Sequence, residues 1–274
     1  MAGEHTITSN GARLRYLREG AGEPVLLLHG YLFGADSWRP QIDTLRTRFD
    51  VIALDLRGQF GSEVTAGGYD LWNQAEDVRE VIEALGVAPV HLVGLSMGGM
   101  IGLRLALRHP DAVRSLVLMD TTSGPENPEL VERYEAMAEV VEAGDIEAVA
   151  PALPPVFLAD DFIVEHSDQV DAWLDRVRAA DPIGFVHALR ALNTRDDVSE
   201  RLGEIAVPTL VIHGEEDVAI PVERARELQA GIAAARLAMV GGAHQSNVDR
   251  AEETTSLILD FLVSIATPAA DGRT

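Results

Sequence analysis

Short runs of apolar residues alternate along this sequence with longer segments that have helical periodicity. We predict buried strands at residues 25–29, 51–55, 90–95, 115–120, 209–213 and 235–239, and helices at 38–48, 69–85, 97–109 and 221–232. Near-continuous apolar strands that are separated by helices are typical of a parallel sheet with both faces covered. The sequence therefore predicts an α/β fold with a mostly parallel sheet and helices on both faces.

The first two strands, predicted at residues 5–8 and 13–17, alternate apolar with polar side chains instead. Asn10 and Gly11 lie between them, and this pair is typical of a two-residue hairpin turn. We therefore expect an antiparallel hairpin at the edge of the sheet.

Residues 124–206 interrupt the alternation, because no convincing strand is found there and helical signals fill the stretch. Asn127 is typical of a helix N-cap, and Pro128 and Glu129 suit the first helical turn. Further helices are predicted at 160–180 and 182–192, after a break at 151–155. We interpret residues 124–206 as a helical cap inserted after the sixth strand, residues 1–123 and 207–267 as the core, and residues 268–274 as a flexible tail.

The charged residues and the missing residue types exclude several classes of function. The formal net charge is −22, from 44 acidic and 22 basic residues, and every basic residue is an arginine. The electrostatic field of this negative charge repels phosphate backbones and anionic lipids, so neither nucleic acid nor a membrane surface is an expected partner. Without cysteine or lysine the chain has no thiol nucleophile, disulfide, thiolate metal site or Schiff-base lysine. We expect no cofactor.

The start of the chain lacks the basic segment and apolar stretch of a secretory signal. No apolar run approaches the roughly 20 residues that span a bilayer. We therefore expect a soluble, cytoplasmic protein whose partner is a small-molecule substrate. The sequence leaves the oligomeric state open, and a homo-oligomer is one of the alternatives.

Ser96 is the candidate nucleophile. It lies in the segment Gly-Leu-Ser-Met-Gly between a predicted strand and a predicted helix, where this pattern forms a strained turn that exposes the hydroxyl. Glycine at 94 and 98 leaves room for the turn, and Gly98 with Gly102 lets the helix pack closely on the sheet. One alternative is a plain loop serine. Another is a dinucleotide-binding turn, which requires glycine where this chain has Ser96.

A serine hydroxyl needs a base that removes its proton, and the sequence offers eight histidines. His244 is the candidate base, because it lies in a loop of small residues just after the last predicted strand. The carboxyl ends of parallel strands meet at one edge of a sheet, so we expect His244 near Ser96. The alternative is a surface histidine without a catalytic role.

Asp217 is the candidate acid that orients His244. It lies in the loop after strand 209–213 and gives the chain order Ser, Asp, His. Glu215 and Glu216 are adjacent competitors, and Asp120 at the end of the sixth strand is a rival that could reach the same histidine.

The acidic residues that follow His213 also allow a metal site as an alternative. A tight loop cannot wrap all of these ligands around one ion. We therefore predict no metal.

The segment after the third strand supplies candidates for an oxyanion hole. The backbone N–H groups of Tyr31 and Met97 are expected to face the Ser96 hydroxyl, and each such donor contributes roughly 2.7–4 kcal/mol to transition-state stabilisation. The side chains predicted to line the substrate pocket are His29, Leu32, Phe33, Phe60, Phe157 and Trp173. The cap aromatics are Phe157, Phe162, Trp173 and Phe185, and a core role inside the cap is the alternative for them.

Together these motifs resemble the α/β-hydrolase family over residues 29–244. The resemblance rests on His-Gly-Tyr at 29–31, Asp-Leu-Arg-Gly at 55–58, Gly-Leu-Ser-Met-Gly-Gly-Met-Ile-Gly at 94–102, Gly-Glu-Glu-Asp at 214–217 and Ala-His-Gln-Ser-Asn at 243–247. The branch that looks most similar contains 3-oxoadipate enol-lactonases and carboxylesterases. Haloalkane dehalogenases and epoxide hydrolases carry aspartate at the position where this chain has Ser96. Phe60 and Ala243 stand where glycine is usual or frequent in relatives.

The resemblance implies the α/β-hydrolase fold and a serine hydrolase that cleaves a carboxylic ester or lactone through an acyl-enzyme. In that mechanism Ser96 attacks the carbonyl, His244 transfers the proton, and the Tyr31 and Met97 N–H groups hold the oxyanion. The alternatives on the same residues are a carbon–carbon bond hydrolase, an acyltransferase and a cofactor-free haloperoxidase or perhydrolase. A small-molecule receptor on a hydrolase fold is an alternative of another class.

Overall fold

The computed structural model describes residues 3–265, and the strands in that range form one eight-stranded sheet. The strands are β1 (Gly3–Ser9), β2 (Ala12–Gly20), β3 (Glu23–Leu28), β4 (Phe49–Leu54), β5 (Val90–Leu95), β6 (Val113–Met119), β7 (Thr209–Gly214) and β8 (Ala235–Val240). Their order across the sheet is β1-β2-β4-β3-β5-β6-β7-β8. The predicted tail at 268–274 and the last two predicted core residues, 266 and 267, lie outside the described range.

Strand β2 pairs antiparallel with both β1 and β4, and every other pair in the sheet is parallel. The predicted mostly parallel sheet is therefore confirmed. The hairpin at the sheet edge is confirmed as well: Ser9 pairs with Ala12, and the two residues between them, Asn10 and Gly11, have φ angles of 45° and 77°. A two-residue turn that follows the strand twist requires positive φ at both positions, which asparagine and glycine tolerate best.

Helices cover both faces of the sheet. They are α1 (Arg39–Leu45), α2 (Leu71–Leu85), α3 (Met97–Arg108), α4 (Pro128–Glu142), α5 (Pro154–Phe157), α6 (Asp160–Glu165), α7 (Ser167–Ala179), α8 (Pro182–Asn193), α9 (Val222–Gly231), α10 (Ser246–Asp249) and α11 (Ala251–Ile265). Short 3₁₀ segments lie at Ala35–Trp38, Pro110–Ala112, Ile146–Ala148, Ala150–Ala152 and Ser199–Glu204. Among residues 3–265, we find no helix with the length and apolar character needed to cross a bilayer.

Strand β3 shows how the alternation of side chains builds two cores. Val25 and Leu27 belong to the apolar cluster that includes α1 and α11, whereas Leu26 and Leu28 belong to the cluster that includes α2 and α3. Successive side chains of a strand point to opposite faces, so a strand that is apolar throughout must be covered twice. The prediction of helices on both faces is thus confirmed.

Between β6 and β7 the described chain contains only helices and loops, from α4 to α8. We refer to residues 124–206 as the cap segment. Its first helix begins as expected, with the Asn127 side chain accepting a hydrogen bond from the Glu129 N–H. Two expectations were wrong in detail: the helical stretch at 160–180 is divided at His166 into α6 and α7, and the expected break at 151–155 is occupied by short helical turns. Proline is tolerated there because it occupies the first helical positions, whose N–H groups need no partner.

Candidate active site

Ser96 lies in a tight turn between β5 and α3. Its backbone has φ 51° and ψ −115°, a conformation that non-glycine residues rarely adopt and that the surrounding structure must enforce. A Cβ atom at Gly94 would lie 2.5 Å from the Gly98 carbonyl oxygen, and one at Gly98 would lie 2.2 Å from the Leu28 carbonyl oxygen. Both glycines are therefore required by the close approach of backbone to backbone, as the sequence predicted.

The fold brings Ser96, His244 and Asp217 together. The Ser96 hydroxyl donates to His244 Nε2 at 2.9 Å, and His244 Nδ1 donates to Asp217 Oδ2 at 2.9 Å. Ser96 and His244 are 148 residues apart in the chain, yet only 6% and 3% of their surfaces are exposed. This arrangement can increase the nucleophilicity of the serine, because the histidine accepts the hydroxyl proton and the carboxylate stabilises the resulting imidazolium.

Two backbone donors fix the orientation of the Asp217 carboxylate. Its Oδ1 accepts hydrogen bonds from the N–H groups of Ala219 and Ile220 at 2.8 and 2.9 Å, which leaves Oδ2 directed at His244. The loop before it packs closely on the loop before His244, since a Cβ atom at Gly214 would lie 2.3 Å from the Gly242 carbonyl oxygen. The acid and the base are thus held by two loops in direct contact.

Asp120, the rival acid, lies behind this arrangement and makes different contacts. Its Oδ1 accepts from the Gly214 N–H at 2.8 Å and its Oδ2 from the Ser246 hydroxyl, whereas its hydrogen bonds within residues 3–265 do not include His244. The side chain is fully buried, and its backbone is left-handed with φ 46°. Asp120 therefore joins the loop of the acid to the loop of the base.

Burial and nearby charges act in opposite directions on these groups. Burial disfavours protonated His244, but the charge and hydrogen bond of Asp217 prevail and raise the pKa of His244 above its usual value. Burial, reinforced by the negative charge of Asp217, raises the pKa of Asp120 well above its usual range. The direction of this shift has a physical reason, because ionisation of Asp120 would place a second carboxylate anion beside Asp217 in one buried site.

Among the described residues, Asp120, His213 and Asp217 form a cluster whose potential ligand atoms lie within 4.8 Å of one another. The carboxylate oxygens of this cluster already accept hydrogen bonds from backbone N–H groups, Ser246 and His244. Its geometry thus serves the orientation of His244, and its oxygens would have to exchange these bonds for a metal ion.

The candidate oxyanion donors lie on either side of Ser96. Met97 is the first residue of α3, and Tyr31 follows Gly30, whose missing Cβ atom would lie 3.3 Å from the Ser96 Cβ atom. Within residues 3–265, the N–H groups of Tyr31 and Met97 have no backbone acceptor. The N–H groups of Tyr31 and Met97 thus remain the candidate donors to an oxyanion that forms at Ser96.

The turn that carries Tyr31 is strained. The Phe33 N–H donates to the Gly30 carbonyl at 3.2 Å, and Leu32 at the third position of this turn has φ 63°. Glycine is favoured at such a position, and leucine there costs roughly 1–2 kcal/mol. Gln59 holds the turn, because its Oε1 accepts from the Leu32 N–H at 3.0 Å. The sequence analysis did not identify Gln59, since nothing in the residues around it indicates this contact.

The structure places five of the six predicted pocket side chains in one apolar cluster between the sheet edge and the cap segment. Its members include Leu32, Phe33, Phe60, Phe157 and Trp173 together with the cap aromatics Phe162 and Phe185. The Phe157 ring lies 5.8 Å from the His244 ring, so the cluster reaches the candidate base. The packing of the cap aromatics agrees with the core role that was the alternative for them, and their role in lining a substrate pocket stays a prediction.

His29 is the exception. It is buried, its Nδ1 donates to the Gly30 carbonyl at 2.7 Å, and its Nε2 accepts from the Leu56 N–H at 2.9 Å. Burial lowers its pKa, which keeps the ring neutral as this pair of contacts requires. Both ring nitrogens are thus committed to the backbone, and the linings of the two cavities described below do not include His29.

Two cavities border the apolar cluster. The larger, of about 450 Å³, is lined by Phe33, Phe60 and Trp173 and by charged residues at its rim, and its described lining does not include Ser96 or His244. The smaller, of about 20 Å³, is lined by Tyr31, Leu32 and apolar side chains of the cap segment. The smaller cavity therefore lies between Tyr31 and the cap segment, and its lining does not include Ser96 or Met97.

Asp249 is a further residue that the sequence analysis missed. Its Oδ2 accepts from the N–H groups of Ala243 and Ala159, both at 3.0 Å, so it joins the loop of His244 to the cap segment. In the sequence, Asp249 differs from the residues before it in the His244 loop only in being acidic, since those residues are small, polar or apolar. Such a residue is common on surfaces, and only the fold shows that it is buried.

Comparison with known proteins places this geometry in context. A family model described as the alpha/beta hydrolase fold matches residues 23–251. A protein from Agrobacterium fabrum, provisionally named carbamate hydrolase RutD, is 31% identical over 90% of this chain and 95% of its own. An esterase structure from Thermogutta terrifontis superposes with a TM-score of 0.91 at 27% identity, covering 97% of this chain and 100% of that one. An enol-lactonase structure from Burkholderia xenovorans LB400 superposes with a TM-score of 0.89 at 28% identity, covering 94% and 100%.

Proposed function

The chain belongs to the α/β-hydrolase fold family, and from that premise we propose that it is a serine hydrolase that cleaves a carboxylic ester or lactone through an acyl-enzyme on Ser96. The observation that carries the proposal is the continuous hydrogen-bonded series from Ser96 through His244 to Asp217, with 2.9 Å at each step. The similarity to an esterase and an enol-lactonase supports an ester or lactone carbonyl as the group attacked.

In the proposed reaction the Ser96 oxygen attacks the carbonyl carbon while its proton passes to His244 Nε2. The Tyr31 and Met97 N–H groups stabilise the tetrahedral oxyanion, and His244 then protonates the leaving alcohol or enol oxygen. Water then gives a proton to His244 and attacks the carbonyl carbon of the acyl-enzyme. The bond between this carbon and the Ser96 oxygen breaks, His244 returns the proton to that oxygen, and the carboxylic acid is released. Asp217 keeps the imidazole in the tautomer that this cycle requires.

A carbamate is a second candidate substrate, because the relative from Agrobacterium fabrum that covers 90% of this chain carries that activity in its provisional name. Hydrolysis of a carbamate ester would use the same nucleophile, base and oxyanion donors. The two candidates differ in the acyl group transferred to Ser96. A carbamoyl-enzyme differs in mass from an acetyl-enzyme, so trapping the intermediate separates them.

Covalent labelling with a fluorophosphonate probe, followed by peptide mass analysis, tests the proposed nucleophile before any substrate is known. We expect the label on Ser96 in the wild-type protein, and none in the Ser96→Ala and His244→Ala variants. A panel of activated esters, lactones and carbamates then identifies the acyl group. Labelling that persists in His244→Ala, or turnover that persists in Ser96→Ala, would refute the proposal. A protein that binds panel compounds in a thermal-shift assay but turns none over would be a receptor on this fold.

A further inference from the structure

The turn at residues 30–33 depends on the cap segment. Both polar backbone groups of the strained residue Leu32 are bonded to side chains: its N–H donates to Gln59 Oε1 at 3.0 Å, and its carbonyl accepts from Trp173 Nε1 at 2.9 Å. Gln59 lies in the loop after β4, but Trp173 lies in α7 of the cap segment, 141 residues away in the chain. A left-handed non-glycine residue persists only where its surroundings fix it, and one of these two fixed points comes from the cap.

Trp173 also holds the neighbouring residue of the turn. Its ring stacks on Phe33 with the centroids 4.7 Å apart and the planes at 16°. One helical turn further along α7, Arg176 pairs with Asp36 at 2.8 Å and lies 4.9 Å from the Phe60 ring. Helix α7 therefore contacts the strained turn through a hydrogen bond, a stacked ring pair and an ion pair close behind it.

We propose that Trp173 is a positioning residue for the oxyanion hole. Through its hydrogen bond to the Leu32 carbonyl, Trp173 holds the Tyr31 N–H in its catalytic orientation. This inference rests on the proposed serine hydrolase function. The Leu32 carbonyl that Trp173 holds shares a peptide group with the Phe33 N–H, which donates to the Gly30 carbonyl at 3.2 Å. That carbonyl shares a peptide group with the Tyr31 N–H, so the Trp173 bond orients the Tyr31 N–H through two hydrogen-bonded peptide groups. The oxyanion hole is thus complete only while α7 is docked on the sheet edge, and docking of the cap segment is coupled to transition-state stabilisation.

The Trp173→Phe variant tests this role, because phenylalanine retains an aromatic ring against Phe33 but has no N–H that could donate to the Leu32 carbonyl. We expect kcat for an activated ester to fall about tenfold while KM changes less than about twofold, since the lost interaction acts on the transition state. The inhibition constant of a trifluoromethyl ketone, which forms a tetrahedral oxyanion on serine, should rise by the same factor as kcat falls. Affinity for the carboxylic acid product should not change.

Trp72→Phe is the matched control. The Trp72 indole N–H donates to Asp196 Oδ2, also at 2.9 Å, at a contact between α2 and the other end of the cap segment. Its removal should lower thermal stability by a similar amount and leave kcat and ketone affinity unchanged. A purely structural role for Trp173 would give the two variants the same kinetic constants.

Site-specific replacement of Trp173 by benzothienylalanine, which keeps the shape of the indole and lacks its N–H, covers the case in which Trp173→Phe does not fold. Wild-type kcat and wild-type ketone affinity in this protein would overturn the positioning role and leave the proposed function intact. If the unmodified protein neither turns over esters nor binds the ketone, the hydrolase function is refuted, and the positioning role is refuted with it. A parallel loss of kcat and ketone affinity supports the role.

Discussion

The Ser246 hydroxyl donates a hydrogen bond to Asp120 Oδ2 two residues beyond His244, while His244 itself donates to Asp217. The two carboxylates that competed for one role thus have different partners. Asp120 also accepts from the Gly214 N–H, at the start of the loop that leads to Asp217. The contacts assign orientation of the imidazole to Asp217 and connection of the two loops to Asp120.

Paired asparagine variants test this division. Asp217→Asn should lower kcat by about 10⁴, because an amide cannot stabilise the imidazolium and favours the wrong tautomer. Asp120→Asn should lower kcat by less than about tenfold. Asparagine can keep both partners, because its carbonyl oxygen can accept from the Gly214 N–H and its amide group can donate to the Ser246 oxygen, which reverses the direction of that hydrogen bond. Steady-state kinetics on one activated ester measures both, and equal losses would contradict the assignment.

The pH dependence of activity should follow the protonation of His244. The base must be neutral to accept the Ser96 proton, and the charge of Asp217 raises the pKa of His244 despite its burial. We therefore expect kcat/KM to fall as the pH decreases, with an inflection above the ordinary histidine value of 6.5. NMR titration of His244 in Ser96→Ala, with and without Asp217→Asn, measures the cause directly. The titration midpoint should be lower in the double variant, and an unchanged midpoint would exclude Asp217 as the cause.

At position 60, a glycine substitution should leave the protein more stable than an alanine substitution, which is the reverse of the usual order. Its backbone has φ 47°, which glycine adopts without the strain that a Cβ atom imposes. Both Phe60→Gly and Phe60→Ala lose the contacts of the ring with Phe185 and Arg176. The free energy of unfolding should therefore be about 1 kcal/mol higher for Phe60→Gly than for Phe60→Ala. Urea unfolding measures both values.

The control for this ranking is Phe162, which lies within α6. There alanine should be the more stable replacement by about 1 kcal/mol, because glycine is unfavourable inside a helix. If alanine is also the better residue at position 60, the strain assigned to that loop is wrong.

The loss of stability caused by alanine at three glycine positions should depend on the atoms that the new methyl group contacts. At Gly98 it would lie 2.2 Å from the Leu28 carbonyl oxygen, at Gly102 it would lie 2.6 Å from the flexible end of Leu92, and at Gly203 no atom lies within 4 Å. Gly98→Ala should therefore cost at least about 2 kcal/mol of stability, Gly102→Ala less, and Gly203→Ala under about 0.5 kcal/mol.

Gly98→Ala should also lose turnover, because the shift of α3 away from β3 moves Ser96 and the Met97 N–H. Denaturation curves and ester turnover of the three variants test the series together. Full activity in Gly98→Ala would show that α3 does not need to pack this closely on the sheet.

The architecture was predictable because its signals are local. Leu26 and Leu27 are both apolar, and a strand that is apolar on both faces requires cover on both. Asn10 and Gly11 were identified as a turn from their tolerance of positive φ. The split at His166 was missed because α6 and α7 continue a single helical pattern. His166 leaves the helical conformation with φ −126° and ψ 39°, and neither proline nor glycine marks the break in the sequence.

The sequence by itself determined the eight strands of the sheet. It also determined the candidate residues Ser96, His244 and Asp217, because each of them follows a strand whose end must lie at the same sheet edge. Only the tertiary structure decided which carboxylate meets His244, that His29 is committed to the backbone, and that Trp173 holds Leu32. Those outcomes depend on hydrogen bonds between side chains and backbone groups far apart in the chain. Their directions follow from three-dimensional packing, and no local periodicity or spacing encodes them.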